Sequence, residues 1–138
     1  MRKNLAEKLS TETQAVSLVN QIINACADAK GNDIKVLDVS AVFGLSDFFI
    51  IASGRSDRHV QGIANKVVSA MSDSGCDPLA VEGLDEGHWV LLDFGDVVMH
   101  VFYEPLREHY DIEGLWGNAK ELKIKSRKST RGINLKVA

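Results

Sequence analysis

Hydrophobic positions along this chain change their spacing from one stretch to the next. Ala15, Leu18, Val19, Ile22, Cys26 and Ala29 recur every three or four residues, the period of an amphipathic helix. Thr11 with Gln14 has the form of a capping box, and Gly31-Asn32 is a stop signal, so the spacing predicts a helix over residues 12–30. Residues 33–39 carry Ile34, Val36, Leu37 and Val39 and predict a strand, followed by a turn at Gly44-Leu45-Ser46-Asp47. The run from Phe48 to Ala52 is apolar at every position, which predicts a strand in the middle of a sheet covered on both faces. After Ser53-Gly54-Arg55, Ser56 is placed to cap a second helix over 57–73, with Val60, Ile63, Ala64, Val67 and Met71 as its buried stripe. Gly75 and Pro78 close it.

In residues 79–103, three short apolar runs are separated by Gly83, Gly87 and Gly95, each beside an acidic residue, which predicts strands joined by turns. Asp93-Phe94-Gly95-Asp96 reverses the chain between residues 89–93 and 97–102. With Phe94-Gly95 as a two-residue loop, Leu92 lies opposite Val97, Leu91 opposite Val98, Val90 opposite Met99 and Trp89 opposite His100. One face is then aliphatic, with Val90, Leu92, Val97, Met99 and Val101. The other gathers Trp89, Asp93, Asp96 and His100 with Leu91 and Val98. Glu104-Pro105 suits the start of a short helix that Leu106, Tyr110 and Leu115 would dock, with Trp116 as a plug between Gly114 and Gly117. The order predicts a single α/β domain with a mixed sheet of about five strands packed with the helices. Residues 1–13 are expected to be a loose extension, 14–117 the domain, and 118–138 a flexible tail.

Composition changes this picture in two places. With 138 residues, 45% of them hydrophobic and 25% charged, the chain is long enough for one sizeable core. It holds no apolar run of the ~18 residues a membrane span needs and no signal-peptide pattern, which points to the cytoplasm. Cys26 and Cys76 have no metal-site spacing and are expected to be reduced thiols. The net charge of −3 conceals a division: residues 1–119 hold 9 Lys/Arg against 18 Asp/Glu, and residues 120–138 hold 7 against 1. An acidic body favours a basic partner surface, and a basic tail suits nucleic-acid phosphates.

The candidate chemistry is sparse. The strand-to-helix turn at Gly54 could hold a phosphate on free backbone N–H groups, although it has neither phosphate-loop spacing and Asp57 would repel an anion. Asp93 and Asp96 straddle a turn, whereas two carboxylates sharing a magnesium ion alternate along one strand. The four histidines show no zinc spacing, so no catalytic group, cofactor or metal ligand is expected. Trp89, beside two acidic turns and His100, has the makings of an aromatic interface anchor, with a packed core Trp as the alternative.

The segments 47–54, 56–60, 81–83 and 89–102, together with Leu115-Trp116, resemble the ribosomal silencing factors, also called the Iojap family, over about residues 14–117. The resemblance implies a nucleotidyltransferase-like fold without catalytic carboxylates. It implies binding to the large ribosomal subunit at ribosomal protein L-fourteen, so that the small subunit is blocked from joining and translation is repressed. Carried over by position, Trp89 falls in the contact strand, with Asp93, Gly95, Asp96 and His100 in the family signature. It leaves open an rRNA contact by the basic tail and a homodimer of the free protein. The alternative is a nucleotidyltransferase-like enzyme acting on a nucleotide through the Gly54 turn and Asp93.

Overall fold

A computed structural model describes residues 5–126, apart from Phe43 and Leu45, and residues 133–135. Twelve elements follow in chain order among these residues. They are α1 (Leu5–Asp28), β1 (Asn32–Asp38), β2 (Phe48–Gly54), α2 (Asp57–Asp73), β3 (Ala80–Glu82), β4 (Trp89–Asp93), β5 (Val97–Tyr103), α3 (Glu104–Tyr110), α4 (Ile112–Leu115), β6 (Lys120–Leu122), β7 (Ile124–Ser126) and β8 (Ile133–Leu135). The first six strands by position form one mixed sheet in the order β3-β4-β5-β2-β1-β6, and β7 pairs with β8 in a separate ribbon. This is the α/β class the periodicity predicts, with six sheet strands rather than about five.

The centre is the parallel pair β2–β5, in register from Phe48↔Val97 to Gly54↔Tyr103. Every residue of β2 is buried, as are the first six of β5, because both strands are covered on both faces. One face packs against α1 and α2. Ser56 caps α2 through its Oγ, which accepts from the His59 N–H at 3.0 Å, and the five stripe residues expected from the sequence are the five that are buried. They meet Val90, Leu92, Val97, Met99 and Val101 from the hairpin and Val19, Ile22, Ile23 and Cys26 from α1 in one continuous apolar core. Each aliphatic side chain buried there contributes roughly 1.5–3 kcal/mol.

Two expectations are corrected at the ends of the chain. Helix α1 starts at Leu5, so the extension expected to be loose is helical from that residue, and Thr11 lies inside the helix instead of capping it. Leu, Ala, Glu and Lys favour helix, and no Gly or Pro interrupts them before Thr11. In the tail expected to be flexible, β6 pairs antiparallel with β1, Val36↔Leu122 to Asp38↔Lys120, and β7 pairs with β8. Leu122 and Ile124 supply the reason, packing as half-buried apolar residues against the helix-side core. Residues 1–4, 127–132 and 136–138 lie outside those described.

The second sheet face is covered more thinly, by α3, α4 and Trp116. Here Leu37, Val39, Phe49, Ile51, Val98, Phe102 and Ile112 form a smaller core. Its helices dock mainly through Ile112 and Arg107 rather than through the expected Tyr110 and Leu115, which are exposed. Arg107 is 7% exposed and joins four elements. Its Nη1 donates to Ser53 Oγ of β2 at 2.8 Å and to the Asp33 carbonyl of β1 at 2.7 Å, and its Nε donates to Glu113 Oε1 of α4 at 2.8 Å. Lys35 Nζ donates to the other Glu113 oxygen at 3.0 Å. Burial works against the Glu113 carboxylate, but the hydrogen bonds from Arg107 and Lys35 outweigh it and hold its pKa below the ordinary value.

Removing Arg107 strands part of this network in a dry setting, so Arg107→Ala should cost about 3 kcal/mol or more of unfolding free energy in urea titration. Lys35, with its side chain 35% exposed, should cost under about 1 kcal/mol when changed to Ala. Equal losses for the two variants would contradict the central place of Arg107.

Candidate partner-binding groove

The hairpin that carries the candidate residues turns one residue later than the sequence reading has it, which shifts the strand pairing by two. Its pairs are Trp89↔Phe102, Val90↔Val101, Leu91↔His100, Leu92↔Met99 and Asp93↔Val98. Gly95-Asp96 is the loop, closed by Phe94 N–H donating to the Val97 carbonyl at 2.9 Å, and Gly95 takes the positive φ of +90° that the first position of such a turn demands. A shift of two leaves every side chain on its expected face, since sides alternate with period two. Trp89, Leu91, Val98 and His100 therefore do share the second face.

The structure divides the five predicted site residues into two groups at opposite ends of β4. At one end, the Trp89 indole lies across Phe102 with ring centroids 5.1 Å apart and against Tyr110 at 4.8 Å. Its Nε1–H donates to His100 Nδ1 at 3.1 Å. His100 is only 4% exposed, so its ring is almost wholly screened from solvent beside Trp89. At the other end, Asp93, Gly95 and Asp96 serve the turn. Asp93 Oδ1 accepts from the Gly95 N–H at 2.8 Å, Ser46 Oγ donates to the Gly95 carbonyl at 2.8 Å, and the Asp96 carbonyl accepts from Asp47 N–H at 2.8 Å. The Asp96 residue remains exposed at the tip.

Between the two groups runs an open apolar groove of about 540 Å³. Phe49, Leu91, Val98 and His100 line it from the sheet, and Leu115 and Trp116 from the short helical segment. Leu79 and Leu115 stand at it 75% and 71% exposed. Leu115 and Tyr110 were the residues sequence reasoning missed, because periodicity places them on a docking face. Asp111, with φ at +47°, separates α4 from α3, and Leu115 at the end of α4 is left at the surface.

The phosphate-binding alternative is not assembled. The N–H groups at the start of α2 are taken by the chain itself: Arg55 N–H donates to His59 Nδ1 at 2.9 Å, Arg58 N–H to Asp57 Oδ1 at 2.7 Å, and Val60 N–H to the Ser56 carbonyl at 2.9 Å. Gly54 has a packing reason, since a Cβ there would meet Val60 N at 2.9 Å. Asp93 lies level with Val98 and hence with Phe49, five residues from Gly54, or about 16 Å along the sheet at ~3.3 Å per residue. Among the described residues no three His, Cys, Asp or Glu are grouped to hold a metal ion. No described helix is long and apolar enough to cross a membrane.

Residues 11–136 match the family model described as "Ribosomal silencing factor during starvation". This chain belongs to the ribosomal silencing factor family. It is 42% identical over 95 residues to the ribosomal silencing factor of Bacillus subtilis, spanning 69% of this chain and 80% of that one. A crystal structure of a Chromobacterium violaceum protein superposes with a TM-score of 0.72 at 42% identity, covering 73% of this chain and 84% of that one. A mouse relative named for mitochondrial assembly of the ribosomal large subunit is 31% identical over 71% of this chain and 44% of its own length. The family match includes the β6–β8 segment, beyond residue 117 where the sequence resemblance ends.

Within this silencing factor, His100 has an electrostatic signature. Burial pushes its pKa from 6.5 down to about 4, so the imidazole is neutral at pH 7. With Nδ1 accepting from Trp89, the proton sits on Nε2, which has no hydrogen-bond partner among the described residues. An unpartnered buried donor costs roughly 1–3 kcal/mol. The unfolded chain takes up a proton near pH 6.5 and the folded one only near pH 4, so this contribution to stability is complete above pH 6.5 and declines as the pH falls toward 4. Between pH 6.5 and 5 the loss should approach about 2 kcal/mol, and His100→Asn should flatten that part of the stability curve in melts across the range. An unchanged slope in the variant would place the titration elsewhere.

Proposed function

We propose that this protein binds the large ribosomal subunit at ribosomal protein L-fourteen through the groove beside Trp89, and so keeps the small subunit from joining and represses translation in the cytoplasm. The observation that carries the reading is the groove itself: an open apolar channel between an aromatic cluster and an acidic hairpin tip. Family membership and the name of the mouse relative support a large-subunit partner. The acidic body, with 18 Asp/Glu against 9 Lys/Arg over residues 1–119, complements a basic ribosomal protein and speeds encounter with it. Asp93, Gly95 and Asp96 hold the tip in shape and set the charge of the rim, Trp89 is the aromatic anchor, and the module acts without catalysis. The basic residues beyond 119 add a contact with rRNA phosphates.

Trp89→Ala should lower affinity for purified large subunits by more than tenfold in co-sedimentation, about 2 kcal/mol as expected of a hot spot, and should no longer prevent subunit joining in sucrose gradients. Leu115→Asp, at a position 71% exposed, tests the same groove without touching the core and should also weaken binding. Wild-type binding by both variants would sink the proposal.

For the basic edge, Lys120 and Lys123 are both exposed, and changing the pair to Gln should reduce the steepness with which large-subunit affinity falls as salt rises. An identical salt slope would remove RNA from the list of contacts.

A further inference from the structure

His100 is a poor choice for stability alone. Its ring lies among Phe49 at 4.9 Å, edge to face, Trp89 at 6.0 Å and Phe102 at 6.4 Å, with Leu91 opposite on β4 and Val98 lining the same groove. A phenyl ring would suit such surroundings without bringing polar atoms into them. The imidazole brings two nitrogens, of which one is used and one has no partner among the described residues. The used one meets the indole N–H of Trp89, a half-buried side chain that otherwise makes apolar and ring contacts, with Phe102 and Tyr110 against its ring and the second core beneath it. Ring contacts tolerate sliding and tilting over several ångströms, whereas a hydrogen bond at 3.1 Å fixes one rotation of the indole about its own bonds. Tyr110, 46% exposed, cannot provide that restraint from the solvent side.

We propose that His100 is a positioning residue for partner binding: its Nδ1 locks the Trp89 indole in the orientation that meets the partner, at the expense of fold stability. This rests on the reading of Trp89 as the anchor of a large-subunit interface. An anchor frozen in its bound rotamer loses less conformational freedom on association, which is where the gain in affinity arises. The role requires an acceptor at the position of Nδ1 and nothing of the Nε2–H.

The role predicts opposite signs for stability and binding. His100→Phe removes the acceptor and the unpartnered donor together, so it should melt at or above the wild-type temperature yet bind purified large subunits at least fivefold more weakly. His100→Asn keeps an amide oxygen where Nδ1 stood, and should restore binding to within about twofold while gaining nothing in melting temperature. The indole N–H resonance of Trp89 in ¹H–¹⁵N spectra, assigned by its absence in Trp89→Phe, should move upfield in His100→Phe and stay near its wild-type position in His100→Asn. Full binding by His100→Phe with a displaced indole resonance would overturn the proposal, as would equal loss of binding in both His100 variants. Trp89→Ala in the same assay separates the two claims. If Trp89→Ala binds normally, the anchor reading fails first; if it loses binding while His100→Phe keeps it, only the positioning role fails.

Discussion

The parallel pairing of β2 with β5 is the constraint from which the rest of the architecture follows. Two strands that are apolar on both faces have to be covered on both faces, and the chain supplies two long helices for one side only. The other side receives the strand-sized remainder of the domain: α3, α4 and Trp116, clamped by Arg107 against the ends of β1 and β2. Seven and four residues of helix cannot roof a six-stranded sheet. The groove along Leu91, Val98 and Phe49 is the part of that face left over, and it exists because the sheet is wider than its second cover.

The two layers also differ in kind. The helix-side core consists of apolar side chains in mutual contact, which sets stability through burial and packing. The second layer contains His100, Ser53 and Arg107, polar groups that are expensive to bury and that fix orientation once buried. Arg107 orients backbone elements, and His100 orients one side chain. The polar contacts that fix orientation thus lie on one side of the sheet and the larger apolar core on the other.

Much of this was legible from residue spacing, and the failures have physical causes. The whole of α2, its Ser56 cap and its buried stripe are local, each decided by neighbours within four residues. The hairpin faces survived a register error because moving Gly95 from second to first place in the loop shifts the cross-strand pairing by two, and only an odd shift exchanges faces. The start of α1 was misplaced because a capping signal at Thr11 competes with intrinsic propensity on both sides of it, and propensity prevailed. β6 was missed since Lys120-Glu121-Leu122 has no strand signature of its own; it is a strand because β1 offers an edge more than eighty residues earlier. The groove was half visible. Trp89 and His100 were placed together from sequence, but Tyr110 meets Trp89 from the end of α3, and Leu115 and Trp116 come to the groove beside His100 only after the left-handed Asp111, a geometry that no local periodicity contains.

The register of β2 on β5 has a bearing on biosynthesis. Phe48 finds its partner in Val97, and Gly54 in Tyr103, so the centre of the sheet joins residues almost fifty positions apart. Until residue 103 has left the ribosome, β2 can pair only with β1, and its other edge stays an unsatisfied row of amides flanked by Phe48, Phe49, Ile50 and Ile51. Non-local pairing of this sort is slow to form once available. A nascent chain halted anywhere between α2 and β5 therefore holds an apolar strand open on one edge to whatever extended segment is nearby, so its exposure to aggregation comes while it is still attached to the ribosome.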